Sequence, residues 1–199
     1  MQPFFPCEPA PTIFAVQEKA AGVPLTLFCD DFCFKALWRG SAPSPGIAID
    51  FPARYGPRTY MLYQMILREY PGISGICVNG NLIGGAYPHP DVPPQPGCRP
   101  LSEDVWYAPG YEIYAYDVRA IVPEGSFYLP VETAARHLRE AGFLYARTLL
   151  TAPLEQCRCY PEAFPTLIPR QLGLPPLPGN TACGTVIKPC RGRRLDARF

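Results

Sequence analysis

Short apolar stretches, rich in β-branched and aromatic residues and separated by Gly and Pro, predict that much of the chain forms strands. Two such stretches flank Asn79-Gly80, a pair typical of tight hairpin turns, so residues 76–78 and 82–83 are predicted to be two strands joined by a turn. The other predicted strands cover residues 13–17, 24–29, 31–39, 112–121, 144–150 and 185–187.

The helical period appears in fewer places. Residues 59–70 predict an amphipathic helix that ends at Pro71-Gly72, and residues 130–141 predict a second that ends at Gly142. Residues 153–164 predict a short third helix. Pro-rich stretches predict an extended segment at residues 1–11 and loops at residues 41–58, 88–100 and 165–180. Strands, helices and loops do not alternate as regular βαβ units, so the pattern predicts an α+β fold.

Composition narrows the class of protein. The chain has 199 residues, 48% of them hydrophobic and 18% charged, which is typical of a folded domain, alone or with a small appendage. The net charge of +1 lacks the basic excess of a dedicated nucleic-acid binder. Basic residues cluster only at Arg191, Arg193 and Arg194, where a solvated tail is preferred to an RNA contact.

The cysteines and the search for targeting signals narrow the class of protein only slightly. The nine cysteines include no Cys-x-x-Cys pair and no zinc-site spacing, so we expect mostly reduced, buried thiols, although an intermembrane-space location would permit a disulfide. No apolar run is long enough to predict a transmembrane helix. Residues 1–11 contain no Arg or Lys and do not form a recognisable transit peptide.

Four segments, in a fixed order, carry the functional signal. The first is Val-Gln-Glu-Lys-Ala-Ala-Gly at 16–22, followed by Trp-Arg-Gly-Ser at 38–41. The second is Val-Asn-Gly-Asn-Leu-Ile-Gly-Gly-Ala-Tyr-Pro-His-Pro at 78–90, and the third is Glu-Ile-Tyr-Ala-Tyr-Asp-Val at 112–118. The fourth is Ala-Cys-Gly-Thr-Val-Ile-Lys at 182–188. A Lys-x-x-Gly alone is uninformative, whereas the Gly-Gly-x-Tyr-Pro-His-Pro run is specific.

Together these segments resemble the covalent nucleotidyltransferase superfamily. They are most similar to the kinetoplastid mitochondrial RNA-editing ligases, relatives of the phage-type RNA ligase 2 group; residues 144–147 and 167–180 add to the likeness. The resemblance covers residues 13–190. It implies a nucleotidyltransferase (RNA/DNA ligase adenylation domain) fold with antiparallel sheets flanking a cleft, a domain over residues 1–190 with a basic tail at 191–199, and a mitochondrial location.

An active ligase of this kind makes clear chemical demands. A lysine amine attacks the α-phosphate of ATP, so the amine must be deprotonated, through burial or nearby positive charge. Mg²⁺ offsets the phosphate charge and needs oxygen ligands, while basic side chains stabilise the charge that develops on the phosphate. The adenine needs a stacking surface and the ribose a hydrogen-bond partner.

The resemblance assigns these roles to particular residues. Lys19 falls at the position of the nucleophile, and Tyr116 at that of the aromatic residue that stacks on adenine. Arg39 matches the arginine that contacts the nucleotide or the RNA end, and Lys188 the basic residue after the fourth motif. With Glu18, Asn81 and Cys183, these residues form the predicted nucleotide site, and no metal ligand is assigned. The strands around Lys19, Asn81, Tyr116 and Cys183 are expected to line the cleft.

The chain departs from the family at several of these positions. Asn81 replaces a glutamate that serves the ribose, and Cys183 replaces a glutamate that serves the metal; a thiol is a poor ligand for a hard cation. Pro24 replaces an asparagine and removes a backbone donor, and Ala21 replaces a His or Asp. The family's later strand with two basic residues has no convincing match, and only residues 191–194 are available to substitute.

These departures predict a pseudoenzyme: a catalytically inactive ligase-like subunit of a larger mitochondrial complex that is respiratory, ribosomal or RNA-processing. No cofactor is then expected, and the ATP site is vestigial. One alternative is an active ATP- and Mg²⁺-dependent RNA ligase that forms lysyl-AMP at Lys19; another is a non-catalytic binder of nucleotide or RNA. In the inactive protein, Arg39 and Lys188 are expected to form structural salt bridges, and Cys183 to be a buried apolar residue.

Overall fold

The computed structural model describes residues 12–40, 47 and 49–196 and confirms the predicted α+β class. The strands are β1 (Ile13–Glu18), β2 (Val23–Cys29), β3 (Phe34–Trp38), β4 (Gly75–Ala86), β5 (Ala108–Val122), β6 (Gly125–Tyr128), β7 (Leu144–Tyr145), β8 (Thr148–Pro153), β9 (Thr185–Pro189) and β10 (Arg193–Asp196). The helices are α1 (Phe51–Glu69), α2 (Val131–Glu140), α3 (Leu154–Arg158) and α4 (Ile168–Gln171).

The strands form two sheets. The smaller has the order β8-β1-β9, and the larger has the order β10-β6-β5-β4-β2-β3. All these neighbours pair antiparallel, and β7 adds to β5 in parallel. Because β1 and β2 are consecutive but belong to different sheets, the connection at residues 19–22 passes from one sheet to the other. This connection contains the predicted nucleophile.

The main core lies between the large sheet and the two longer helices. One face of α1 is buried through residues spaced three or four apart, including Leu62, Tyr63 and Ile66. They pack against buried strand residues such as Leu27 and Val78. The largest apolar cluster therefore lies on the helix-covered face of the large sheet, and the small sheet lies outside this cluster.

Helix α1 begins earlier than predicted. The predicted loop at 41–58 is wrong beyond residue 50, because the carboxylate of Asp50 caps the helix by accepting a 3.0 Å hydrogen bond from the Ala53 N–H. Pro52 occupies the first turn, where a missing N–H does no harm, and Pro57 is accommodated inside the helix. Residues 1–11, predicted to be extended, and residues 41–46 and 48 of the predicted loop lie outside the described residues.

The predicted turn at Asn79-Gly80 is also wrong, since β4 runs through it without a break. The pairing with β5 shifts register between these two residues, as at a β-bulge. A Cβ on Gly80 would lie 2.8 Å from the Tyr114 carbonyl oxygen, so the glycine permits close approach of β5. The Asn79 side chain is fixed across the sheet, where its Oδ1 accepts from Thr26 Oγ1 at 2.9 Å.

Other differences concern short elements. The predicted strand at 144–150 divides into β7 and β8, which belong to different sheets. The predicted helix at 153–164 ends at residue 158, and the predicted loop at 165–180 contains α4. The sequence did not predict strand β6. Strand β10 forms within the predicted basic tail, so β9 is not the last strand. The domain boundary at 190 stays a prediction. No helix among the described residues is long and apolar enough to cross a membrane.

Candidate functional site

Lys19 lies directly after β1, at the crossing between the two sheets. Its backbone N–H donates to the Gly184 carbonyl at 2.9 Å, which joins the first predicted segment to the fourth. A Cβ on Gly22 would lie 2.3 Å from the Leu82 carbonyl oxygen. The glycine of the Lys-x-x-Gly motif is thus required because the chain passes close to β4.

A cavity of about 250 Å³ opens beside Lys19. It brings together residues from the four predicted segments, which are far apart in sequence. The lining residues are Gln17, Glu18, Lys19, Ala20, Asn81, Tyr114, Tyr116, Asp117, Val186 and Lys188.

Only some of the predicted site residues line this cavity. Glu18, Lys19, Asn81, Tyr116 and Lys188 line the cavity, whereas Arg39 and Cys183 do not. Arg39 is exposed, and its Nη1 donates to the Tyr116 hydroxyl at 3.4 Å.

Cys183 is exposed, so the prediction that it is a buried residue is wrong, and its side chain does not line the cavity. The strand that follows it does line the cavity, through Val186 and Lys188. Its neighbour Gly184 has a φ of +121°, and the strand of the fourth segment begins only at Thr185. The wider prediction of mostly buried thiols is wrong as well. All eight cysteines among the described residues have free thiols, but only Cys29, Cys77 and Cys157 are buried.

Lys188 is held inside the cavity by an ion pair. Its Nζ lies 2.6 Å from Asp117 Oδ1 and 2.5 Å from the Tyr116 carbonyl oxygen. Both side chains are mostly buried, with 16% and 30% of their surfaces exposed. The salt bridge expected for Lys188 is therefore present, and its acidic partner Asp117 was not singled out from the sequence.

Glu18 is buried and directs its carboxylate to the loop that follows α3. Its Oε2 accepts from the Leu167 N–H at 2.9 Å, and its Oε1 accepts from the Thr166 hydroxyl. Burial raises the pKa of Glu18, while the two hydrogen bonds act in the opposite direction. The carboxylate therefore fastens residues 166–167 to β1.

Asn81 is also engaged by the protein. Its Nδ2 donates to the Ala20 carbonyl at 2.8 Å, so the side chain braces the turn that follows Lys19. Two tyrosines that the sequence did not single out for a role complete this bracing. The Tyr107 hydroxyl accepts from the Ala21 N–H at 2.8 Å, and the Tyr114 hydroxyl donates to the Glu18 carbonyl at 3.2 Å. Because their partners are backbone atoms far away in sequence, no local pattern indicates these contacts.

The side chains of this cavity do not fit a Mg²⁺ site. Hard cations need several oxygen ligands, but the carboxylates of Glu18 and Asp117 are bound by protein donors. In the described part of the chain, no group of three or more His, Cys, Asp or Glu residues is arranged to hold a metal ion.

Comparisons with known proteins agree with the resemblance of the four segments. The chain is 31% identical over 134 residues to RNA-editing ligase 2, mitochondrial, of Trypanosoma brucei brucei, covering 58% of this chain and 32% of that protein. It is also 31% identical over 151 residues to RNA-editing ligase 1, mitochondrial, covering 63% of this chain and 32% of that protein. A scan against models of known protein families finds no match.

The fold comparison reaches further along the chain. The structure of Naegleria gruberi RNA ligase with PPi has a TM-score of 0.52 and 14% identity, over 93% of this chain and 49% of that one. The predicted resemblance to RNA-editing ligases and the predicted nucleotidyltransferase fold are thus confirmed. The chain spans about a third of the length of the two trypanosome proteins.

Proposed function

We propose that this RNA-ligase-like chain does not form an adenylate and serves as an accessory subunit of a larger mitochondrial assembly. One observation carries the proposal: the charged groups at the cavity beside Lys19 are bound to the protein itself. Lys188 is paired with Asp117, and Glu18 binds residues 166–167. A triphosphate and its metal would have to break these contacts before they could use the same groups.

The surroundings of Lys19 also support inactivity. A nucleophilic lysine needs burial or an uncompensated positive charge nearby to release its proton at neutral pH. Lys19 is exposed, and the positive charge of Lys188 in the same cavity is offset by Asp117. With Asn81 and Cys183 in place of the glutamates that the resemblance predicts, the chain also has fewer oxygen ligands with which to position a metal.

A contrast between the scaffold and the cavity supports the accessory role. The fold matches that of an RNA ligase over 93% of this chain and has an extensive apolar core, while the residues at the cavity depart from those of a ligase. The mitochondrial location is proposed because both trypanosome relatives carry that location in their names. The host assembly is proposed to be respiratory, ribosomal or RNA-processing.

The test of inactivity is an adenylation assay. Purified protein is incubated with ATP labelled at the α-phosphate and with Mg²⁺, and acid-labile label on the protein is measured. Lys19, Lys35 and Lys188 are the lysines of the chain, so Lys19→Ala and the matched exposed-residue control Lys35→Ala identify any modified site. We expect no stable adenylate. Label that Lys19→Ala abolishes and Lys35→Ala preserves would overturn the proposal in favour of an active RNA ligase.

The accessory role needs its own measurement. The tagged chain is expressed in its source organism, and mitochondrial extracts are separated by sedimentation. Co-migration with a defined large assembly is expected, together with loss or reduction of that assembly when the chain is depleted. Sedimentation as a free monomer outside mitochondria would contradict this role, whatever the adenylation assay shows.

The cavity itself favours a second candidate function, the binding of a nucleotide without reaction. Tyr116 offers an aromatic ring beside Lys188, although about 250 Å³ is small compared with ligand pockets, which start at about 300 Å³. Calorimetry with AMP and ATP separates the two. Saturable binding that is lost in Tyr116→Ala, without adenylation, would favour the binder over the accessory subunit with an idle cavity.

A further inference from the structure

A second concave surface lies between α2 and the β7–β8 segment. This groove has a volume of about 490 Å³ and shares no lining residue with the cavity beside Lys19. Its lining residues are Glu132, Thr133, Ala135, Arg136, Arg139, Tyr145, Arg147 and Thr148. We propose that this arginine groove binds an acidic segment of a partner protein.

The fold gives the groove a fixed shape. Helix α2 buries Ala134 and Leu138 in the main core, so its opposite side faces the groove. At the start of the groove, the Thr148 hydroxyl donates to Glu132 Oε1 at 3.0 Å and ties β8 to the first turn of α2. Gly142, with a φ of +75°, reverses the chain between the helix and β7.

The positive charge of the groove is available to a ligand. Arg139 and Arg147 are exposed, and no carboxylate of the described residues lies within ion-pair distance of either. The Arg147 guanidinium lies 6.0 Å from the centre of the Tyr145 ring, which favours an orderly position for this side chain. Guanidinium groups pair in a planar, two-pronged manner with carboxylates, which suits them to an anionic partner.

Arg136 illustrates the chemistry that this surface accepts. Its Nη2 lies 2.7 Å from Glu69 Oε2, a carboxylate that α1 presents from the side. The same oxygen lies 2.8 Å from His137 Nε2. A carboxylate presented by a helix is thus already bound at one end of the groove, and a partner carboxylate would find Arg139 and Arg147 beyond it.

The distribution of charge favours a protein segment over RNA. Arg136 and Arg139 are separated by three residues, or about 4.5 Å along the helix, and Glu132 and Glu140 lie before and after them. Single-stranded nucleic acid follows a longer basic track, since typical sites cover about 4–16 nucleotides. A short positive patch between carboxylates accommodates one or two acidic side chains and repels a continuous phosphate backbone. The inference concerns a different surface from the Lys19 cavity and holds whether or not Lys19 reacts.

The test measures binding of a fluorescein-labelled Glu-rich peptide to the full chain by fluorescence anisotropy. A peptide with Gln in place of Glu is the ligand control, and a labelled single-stranded RNA is the competing class. The test variant is the double substitution Arg139→Gln with Arg147→Gln. The matched control is Arg68→Gln with Arg170→Gln, which removes the same charge from two exposed arginines outside the groove.

We expect the Glu-rich peptide to bind, and the groove variant to weaken binding at least about tenfold. The matched control should bind within about twofold of the unmodified chain, and the Gln peptide should not bind. Rising salt should weaken the interaction because the contacts are ionic. All variants are first shown to have the same circular dichroism spectrum and unfolding midpoint.

Three results would overturn the inference. The Glu-rich peptide fails to bind, or it binds the groove variant and the matched control equally, which would indicate attraction to the net charge alone. Alternatively, the RNA binds more tightly than the peptide and is lost in the groove variant, which would assign the surface to nucleic acid.

Discussion

The two faces of the large sheet differ in what holds them together. On the helix-covered face, side chains such as Leu25, Leu27 and Ile76 are almost fully buried and make apolar contacts. On the face towards the cavity, side chains such as Asn81 and Asp117 are fixed by hydrogen bonds and an ion pair. One sheet thus supplies both the stability of the fold and a set of polar groups that hold one another in place.

The difference bears on the proposal that this chain keeps a nucleotidyltransferase scaffold without the chemistry of a ligase. Apolar burial depends on volume and pattern, which are independent of any ligand. Polar groups in a ligand site must find new partners when the ligand is no longer bound, because unpaired buried polar groups are destabilising. If this view is correct, substitutions on the cavity face should affect stability, and by less than substitutions in the core.

The largest loss of stability is expected for Leu62→Ala. Leu62 is 0% exposed on the buried side of α1, and truncation should lower the free energy of unfolding by about 2–5 kcal/mol. Urea unfolding followed by circular dichroism measures the loss. The neighbouring Met61 is 44% exposed, and Met61→Ala should change stability by less than about 0.5 kcal/mol. Equal effects would contradict the packing of α1.

Glu18 lies at the cavity on the small sheet, and Glu18→Ala should lower the free energy of unfolding by about 1–3 kcal/mol, because it leaves the Leu167 N–H and the Thr166 hydroxyl without their acceptor. Glu18→Gln should cost less, since an amide oxygen can still accept one of the two bonds. Thermal unfolding of both variants tests this order. Glu103→Ala, an exposed loop position, serves as the control. If Glu18→Ala leaves the thermal unfolding unchanged, the carboxylate is free for a ligand.

Glu18 also predicts a pH dependence. Because burial raises the pKa of Glu18 above its ordinary value of 4.5, the folded chain keeps this proton where the unfolded chain has lost it. The associated stability is fully present below the unfolded pKa and is lost as pH rises through the raised pKa. The unfolding free energy of the native chain should therefore fall relative to that of Glu18→Gln as pH rises from about 4.5. Parallel profiles would contradict the raised pKa.

The Lys188–Asp117 ion pair should contribute less to the free energy of unfolding than a residue of the core does. Its contribution should be typical of a partly buried ion pair. Lys188→Met should lower stability by about 1–2 kcal/mol, because it leaves the Asp117 carboxylate without a cation. Adding Asp117→Asn should restore part of the loss, and the double-mutant cycle isolates the coupling. Lys35→Met, at an exposed lysine, is the control. Additive effects would show that the two groups do not depend on each other.

The smallest effect is expected at a surface ion pair. Arg158 and Glu155 lie 3.1 Å apart on α3, with side chains 61% and 79% exposed. Because water and salt screen such pairs, Glu155→Gln should change the free energy of unfolding by less than about 0.5 kcal/mol. Chemical denaturation is sensitive enough to detect a larger change, which would show that exposure is a poor guide to the strength of ion pairs in this protein.

Much of the fold could be predicted from the sequence where a local signal coincided with the tertiary structure. The helix ending at Gly142 and the strands on either side of Lys19 have clear periods and breakers, and they form as predicted. The errors occur where a local signal was overridden. Asn79-Gly80 resembles a turn, yet the close approach of β5 uses the glycine inside a strand. The prolines before residue 59 predicted a loop, but the helix capped by Asp50 begins at Phe51.

By itself, the sequence determined the family resemblance, the α+β class and some of the residues at the cavity, since ordered motifs carry this information. Only the tertiary structure decided which groups pair with the charged side chains at the cavity. Glu18 and Thr166 are 148 positions apart, and Lys188 and Asp117 are 71 apart. A local pattern reports whether a residue is polar or apolar, but a polar side chain finds its partner through the path of the whole chain. For this reason, Lys19 could be located from its motif, whereas the pairing of its neighbours could not.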